Sequence, residues 1–171
     1  MVNPFAALLP PIVSFVQPFA DRYAASQSLQ VGTTFAHFAG LLTGGGFAVA
    51  SDRLVWRQPR MPDADRRMPF LDELDAVHRP VLIGLTITIV SGLLMTAADA
   101  EVMLTSVTFW SKMGVIVLLL LNGAWLVRIS ERLRRAVVPA ASLWRNLHIS
   151  AAVSLTGWLA VTLLGVILTN G

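Results

Sequence analysis

All three histidines of the chain, and its only lysine, fall inside or at the edge of apolar stretches. Imidazole and amine nitrogens can ligate a metal or a haem iron, carry protons, or hold a carboxylate or carbonyl. His37 and Lys112 lie within the stretches 29–50 and 107–127, while His78 and His148 stand at the beginning of 77–98 and 147–168. Each stretch is long enough for the roughly 20 residues of helix needed to cross a bilayer core of about 30 Å. An ionisable group at the centre of such a helix costs roughly 2.5–3.5 kcal/mol or more, so it is kept for a partner or a task.

Four such stretches in 171 residues predict an all-α integral membrane protein, an up-down bundle of four transmembrane helices over 29–171. In that topology the first and third spans run parallel, and so do the second and fourth. Sequence position then becomes depth, at about 1.5 Å per residue. His37 and Lys112 fall near one side of the membrane as an outer pair, and His78 and His148 share the other edge as an inner pair. Two nitrogens facing each other suit the axial positions of a haem iron. Three histidines could also hold copper or zinc, although these depths do not bring all of His37, His78 and His148 to one point. The plainer readings are that His78 and His148 are polar residues at the water boundary, and that Lys112 snorkels to the headgroups.

Composition agrees with the membrane. Hydrophobic residues make up 55% and charged ones 13%, against about 25% charged in soluble domains. The mean hydropathy is +0.67. The net charge of +3 is organised by side rather than as a nucleic-acid patch. Arg53, Arg57, Arg60, Arg66, Arg67 and Arg79 lie in or beside the segment 51–76, and Arg128, Arg132, Arg134, Arg135 and Arg145 flank 128–146. Only Arg22 and Lys112 lie on the other side, with Asp99 and Glu101. The positive-inside rule puts both basic loops in the cytoplasm and both termini outside, and anionic lipid is the partner of those loops. With no cysteine, thiolate metal sites and iron–sulfur clusters are excluded.

The N-terminus has neither the basic region nor the cleavage site of a signal peptide. Its apolar stretch 5–20 contains Pro10, Pro11 and Pro18. Residues 1–28 are therefore expected to form a proline-broken, amphipathic segment on the outer face rather than a span. Gly32, Ala36, Gly40, Gly44 and Ala48 form a row at i+4 spacing, and Gly84, Thr88, Gly92 and Thr96 form another. Such rows admit a neighbouring backbone or a flat ligand. Trp56, Trp110 and Trp144 fall where an aromatic belt would lie, and Trp158 falls mid-membrane. The segment 51–76 mixes aspartates and arginines without metal-loop spacing and is expected to be solvated, with at most a short amphipathic helix.

Two stretches resemble those of bacterial four- and five-span membrane proteins. Thr33-Thr34-Phe35-Ala36-His37-Phe38-Ala39-Gly40, continuing through Gly44-Gly45-Gly46 to Asp52-Arg53, is similar to their first span. Phe109-Trp110-Ser111-Lys112-Met113-Gly114 is similar to the lysine-led opening of their third. The membrane protoporphyrinogen oxidase family shares both marks. The copper-resistance D family shares the lysine-led span and its later asparagine, here Asn122. The first resemblance implies that His37 and Lys112 lie beside haem. The second implies copper import, but Met95 and Met103 have no histidine beside them.

The expected function is a b-type haem protein of the bacterial inner membrane, with one or two haems, passing electrons between quinone and a partner redox subunit. It would bind no nucleic acid, and it would act with that subunit or as a homo-oligomer. His37, His78, Lys112 and His148 are the candidate cofactor residues. The alternatives are a haem-dependent porphyrinogen-oxidising enzyme, a copper or ion transporter, and a cofactor-free membrane subunit.

Overall fold

The computed structural model describes residues 9–58, 64–138 and 140–170, and these are all-helical. The helices are α1 (Leu9–Ala24), α2 (Gln27–Arg57), α3 (Ala64–Ala98), α4 (Ala100–Thr105), α5 (Val107–Arg135) and α6 (Ala141–Asn170). Arg60, Asp63 and residues 5–8 of the N-terminal stretch lie outside the described residues. Two serines start helices in the same way. The Ser26 hydroxyl accepts from the Leu29 N–H and the Ser106 hydroxyl from the Phe109 N–H, each satisfying a donor that the first turn leaves open.

Three helices are long and apolar enough to cross a membrane: α3 from Asp65, α5, and α6 as far as Thr169. The protein is therefore read as a membrane protein. The 31-residue α2 packs among them, with its hydropathy lowered by glycines, threonines and His37. It lies along α3 and against α6, α5 lies along α6, and α3 touches α5 lightly. Among the described residues the backbones of α2 and α5, and those of α3 and α6, do not come close, so these pairs stand on the diagonals and meet only through side chains.

Both charged segments are shorter than expected. The segment 51–76 is mostly two helix ends, because α2 continues to Arg57 and α3 begins at Ala64, not at 77. The cause is an apolar face hidden among charges. Phe70, Leu71 and Leu74 are buried against Val55, Ile129, Leu133, Trp144 and Leu147, while Asp72 and Asp75 turn outward to Arg134, at 2.8 and 2.7 Å. Pro69 and Pro80 lie inside α3 without ending it. In the same way, 128–146 is largely the last turns of α5 and the first of α6.

The expected belt role of Trp144 is corrected by the same cluster. Only 2% of its surface is exposed, and its ring centroid lies 6.2 Å from that of Phe70. Trp56 and Trp110 remain exposed. The N-terminal segment is also corrected, since α1 is a continuous helix rather than a broken one. Pro10 and Pro11 occupy its first turn, where the missing N–H groups would have had no partner. It buries none of its residues and rests on α3, α4 and α2.

The glycine rows make the closest packing in the bundle. A Cβ on Gly40 would lie 2.8 Å from the Gly84 carbonyl oxygen, and one on Gly84 would lie 2.7 Å from Gly44 Cα. The backbones of α2 and α3 touch there, so at Gly40 and Gly44 the row is filled by a helix and offers no slot for a flat ligand. Trp158 covers the next position, with a ring carbon 3.2 Å from where a Gly45 Cβ would stand.

Candidate functional site

Towards the α4 end of the bundle, His37 on α2 faces Ser91 on α3, its Nδ1 3.1 Å from the serine hydroxyl. The half-buried ring fits because Gly92 lacks a side chain: a Cβ there would stand 3.2 Å from His37 Cε1. Ser91 Oγ is also 2.6 Å from the Ile87 carbonyl oxygen. A hydroxyl has one hydrogen, and the short bond to Ile87 claims it. The serine oxygen then accepts from His37 Nδ1–H, which leaves Nε2 with a free lone pair. Lys112 on α5 comes within electrostatic range of the ring, and its Nζ lies 3.4 Å from where a Gly165 Cβ would be, on α6. The expected outer residues therefore share one region across the α2/α5 diagonal.

The inner residues do not form a comparable pair. His148 directs Nδ1 at the carbonyl of Trp144, 2.8 Å away in its own helix. A carbonyl can only accept, so this ring also carries its proton on Nδ1 and presents Nε2. His78 belongs to α3, diagonal to α6, and it lines a cavity that His148 does not line. Nor do the three histidines meet one another. Among the described residues no group of three or more histidine, aspartate or glutamate side chains is placed to hold a metal ion.

That cavity, about 300 Å³, lies between two packed clusters. Leu74 and Leu126 come from the cluster at the arginine-rich end, and Ala48, Trp158 and Leu119 from the other. Its polar wall is Ser51, Asp52, His78, Asn122 and Ser154. Asp52 is 5% exposed, and its Oδ2 has no hydrogen-bond partner among the described residues. Ser154 on α6 is the polar side chain beside it. Asn122 is satisfied by Ser150: its Nδ2 donates to the Ser150 carbonyl at 3.0 Å, and the Ser150 hydroxyl donates to its Oδ1 at 3.1 Å. Asp52 and this asparagine–serine lock were not among the expected site residues. A signal for Asp52 was present, because it extends the row Gly40, Gly44, Ala48 by one more i+4 step onto the same inward face.

Comparison with protein-family models, with characterised proteins and with solved structures gives no match.

Proposed function

We propose that the chain is a four-span protein of the bacterial cytoplasmic membrane that binds b-type haem and passes electrons between a quinone and a partner redox protein. In this reading α2 is the fourth crossing helix, and α1 lies along the outer surface. The arginine-rich end faces the cytoplasm, as the distribution of its arginines favours. The observation that carries the reading is His37. Its Nδ1 is anchored by a serine that has already spent its own hydrogen, so Nε2 is held out as a ligand. A ligating histidine is commonly fixed in this way through its second nitrogen.

His37 would hold the iron, and Lys112 would ligate it too or bond a propionate. Haem iron supplies one-electron chemistry when bound. His148, with its Nδ1 tied to Trp144, is the second candidate ligand. The test is a dithionite-reduced minus oxidised spectrum with a pyridine haemochrome count, on protein purified in mild detergent after expression with haem supplied. An α band that is lost in His37→Ala is expected. A colourless protein, or a full band retained by His37→Ala, refutes the assignment.

A further inference from the structure

We infer that the cavity walled by Asp52, His78 and Asn122 is the binding site for the head group of a lipid-soluble quinone. The inference deepens the proposed function and rests on its quinone partner, but it uses residues other than His37.

The entrance defines the ligand. Leu82 on α3 and Leu120 and Val127 on α5 line the cavity and are also exposed on the outside of the bundle. The cavity therefore opens sideways between α3 and α5, the two neighbouring helices that touch only lightly. In a membrane that opening faces hydrocarbon. A ligand that uses it is lipid-soluble, with an apolar tail that runs out past these leucines.

The closed end defines the head group. Asn122 is already bonded to Ser150, the buried atom left without a partner is Asp52 Oδ2, and the His78 ring stands on the same wall. Among the described residues Asp52 forms no ion pair. A carboxyl group and an imidazole each donate or accept according to where the proton sits. A quinone accepts at both oxygens and its quinol donates at both, so this pair of side chains matches either form. Gly123 keeps the space open, with nothing within 4 Å of where its Cβ would be. Pockets for small molecules combine such apolar walls with a few placed polar groups.

The test is titration calorimetry with decylubiquinone on the full chain in lipid nanodiscs. Gly123→Leu fills the cavity without touching a polar group, and Asp52→Leu removes the carboxyl group. Each should weaken binding by about tenfold or more. In case either variant fails to fold, an azido-ubiquinone photolabel on the unaltered chain should mark peptides around Leu82 and Leu120–Gly123. No binding by the unaltered chain, equal affinity in both folded variants, or labelling elsewhere overturns the inference. A haem spectrum on the same sample separates the two claims. Colourless protein that binds quinone in this cavity leaves the inference standing while the haem reading falls. Haem-loaded protein indifferent to Gly123→Leu does the opposite.

Discussion

Replacing Gly84 by alanine should loosen the α2–α3 crossing. The new methyl carbon would stand 2.7 Å from both the Gly40 carbonyl oxygen and Gly44 Cα, and nearer still to the Gly44 nitrogen. These are backbone atoms of a helix, and no side chain can rotate away. Ordinary contact begins at 3.4 Å, so the helices must part locally by roughly 1 Å to clear the nearest atom. A gap of that size forfeits about a quarter to a half of each neighbouring dispersion contact. Overpacking of this kind costs about 1–3 kcal/mol, and the gain of alanine over glycine in a helix offsets up to about 1 kcal/mol. A net loss of about 1–2 kcal/mol is expected. Gly46 is the control, since nothing lies within 4 Å of its Cβ position, and Gly46→Ala should be neutral or slightly stabilising. Both are read by reversible unfolding in mixed micelles of rising dodecyl sulfate fraction, followed by circular dichroism. A Gly84→Ala protein as stable as the parent would refute the close crossing.

Trp144→Ala should destabilise by about 3–5 kcal/mol, as the loss of a buried aromatic does, whereas exposed Trp56→Ala should stay within about 0.5 kcal/mol. The same micelle titration distinguishes them, and equal effects would return Trp144 to the membrane boundary. Asn122→Leu should cost about 1–3 kcal/mol by stranding the Ser150 groups it bonds. In a double-mutant cycle with Ser150→Ala the two costs should fall short of additivity, because either change breaks the shared hydroxyl bond. Strict additivity would mean that the two side chains do not meet.

The packing rows were legible in the sequence because small residues at i+4 spacing have one strong use in a helix pair. Gly40, Gly44 and Gly84 serve it. The ends of the bundle were not legible, because hydropathy averages over a helix's faces. Phe70, Leu71 and Leu74 are diluted by Asp72, Glu73 and Asp75 in sequence, yet in α3 they form a buried face of their own. Trp144 was placed at a boundary by position alone, but its depth is set by what α3 and α5 offer it to pack against. His37 and Lys112 were visible as misplaced ionisable groups. Their supporting residues Ser91, Gly92 and Gly165 were not, since nothing in a sequence pairs α2 with one particular turn of α3.

Asp52 shows the same limit in the chemistry. A boundary drawn where hydropathy falls put it in a solvated loop, yet helix geometry carries the inward stripe of α2 one step further and brings the carboxyl group inside. Fifteen residues of one helix separate it from His37, about 22 Å along the axis, with the close crossing at Gly40 and Gly44 between them. Neither group can touch the other's ligand. Filling the cavity at Gly123 should therefore leave the His37–Ser91 bond and its free Nε2 intact, and removing His37 should leave the cavity open. If the two sites serve one electron path, the link between them must run through the packed middle of the bundle, where Trp158 lies against Gly44 and Gly45. A Trp158→Leu protein that retains both ligands but exchanges electrons at an unchanged rate would remove that tryptophan from the path.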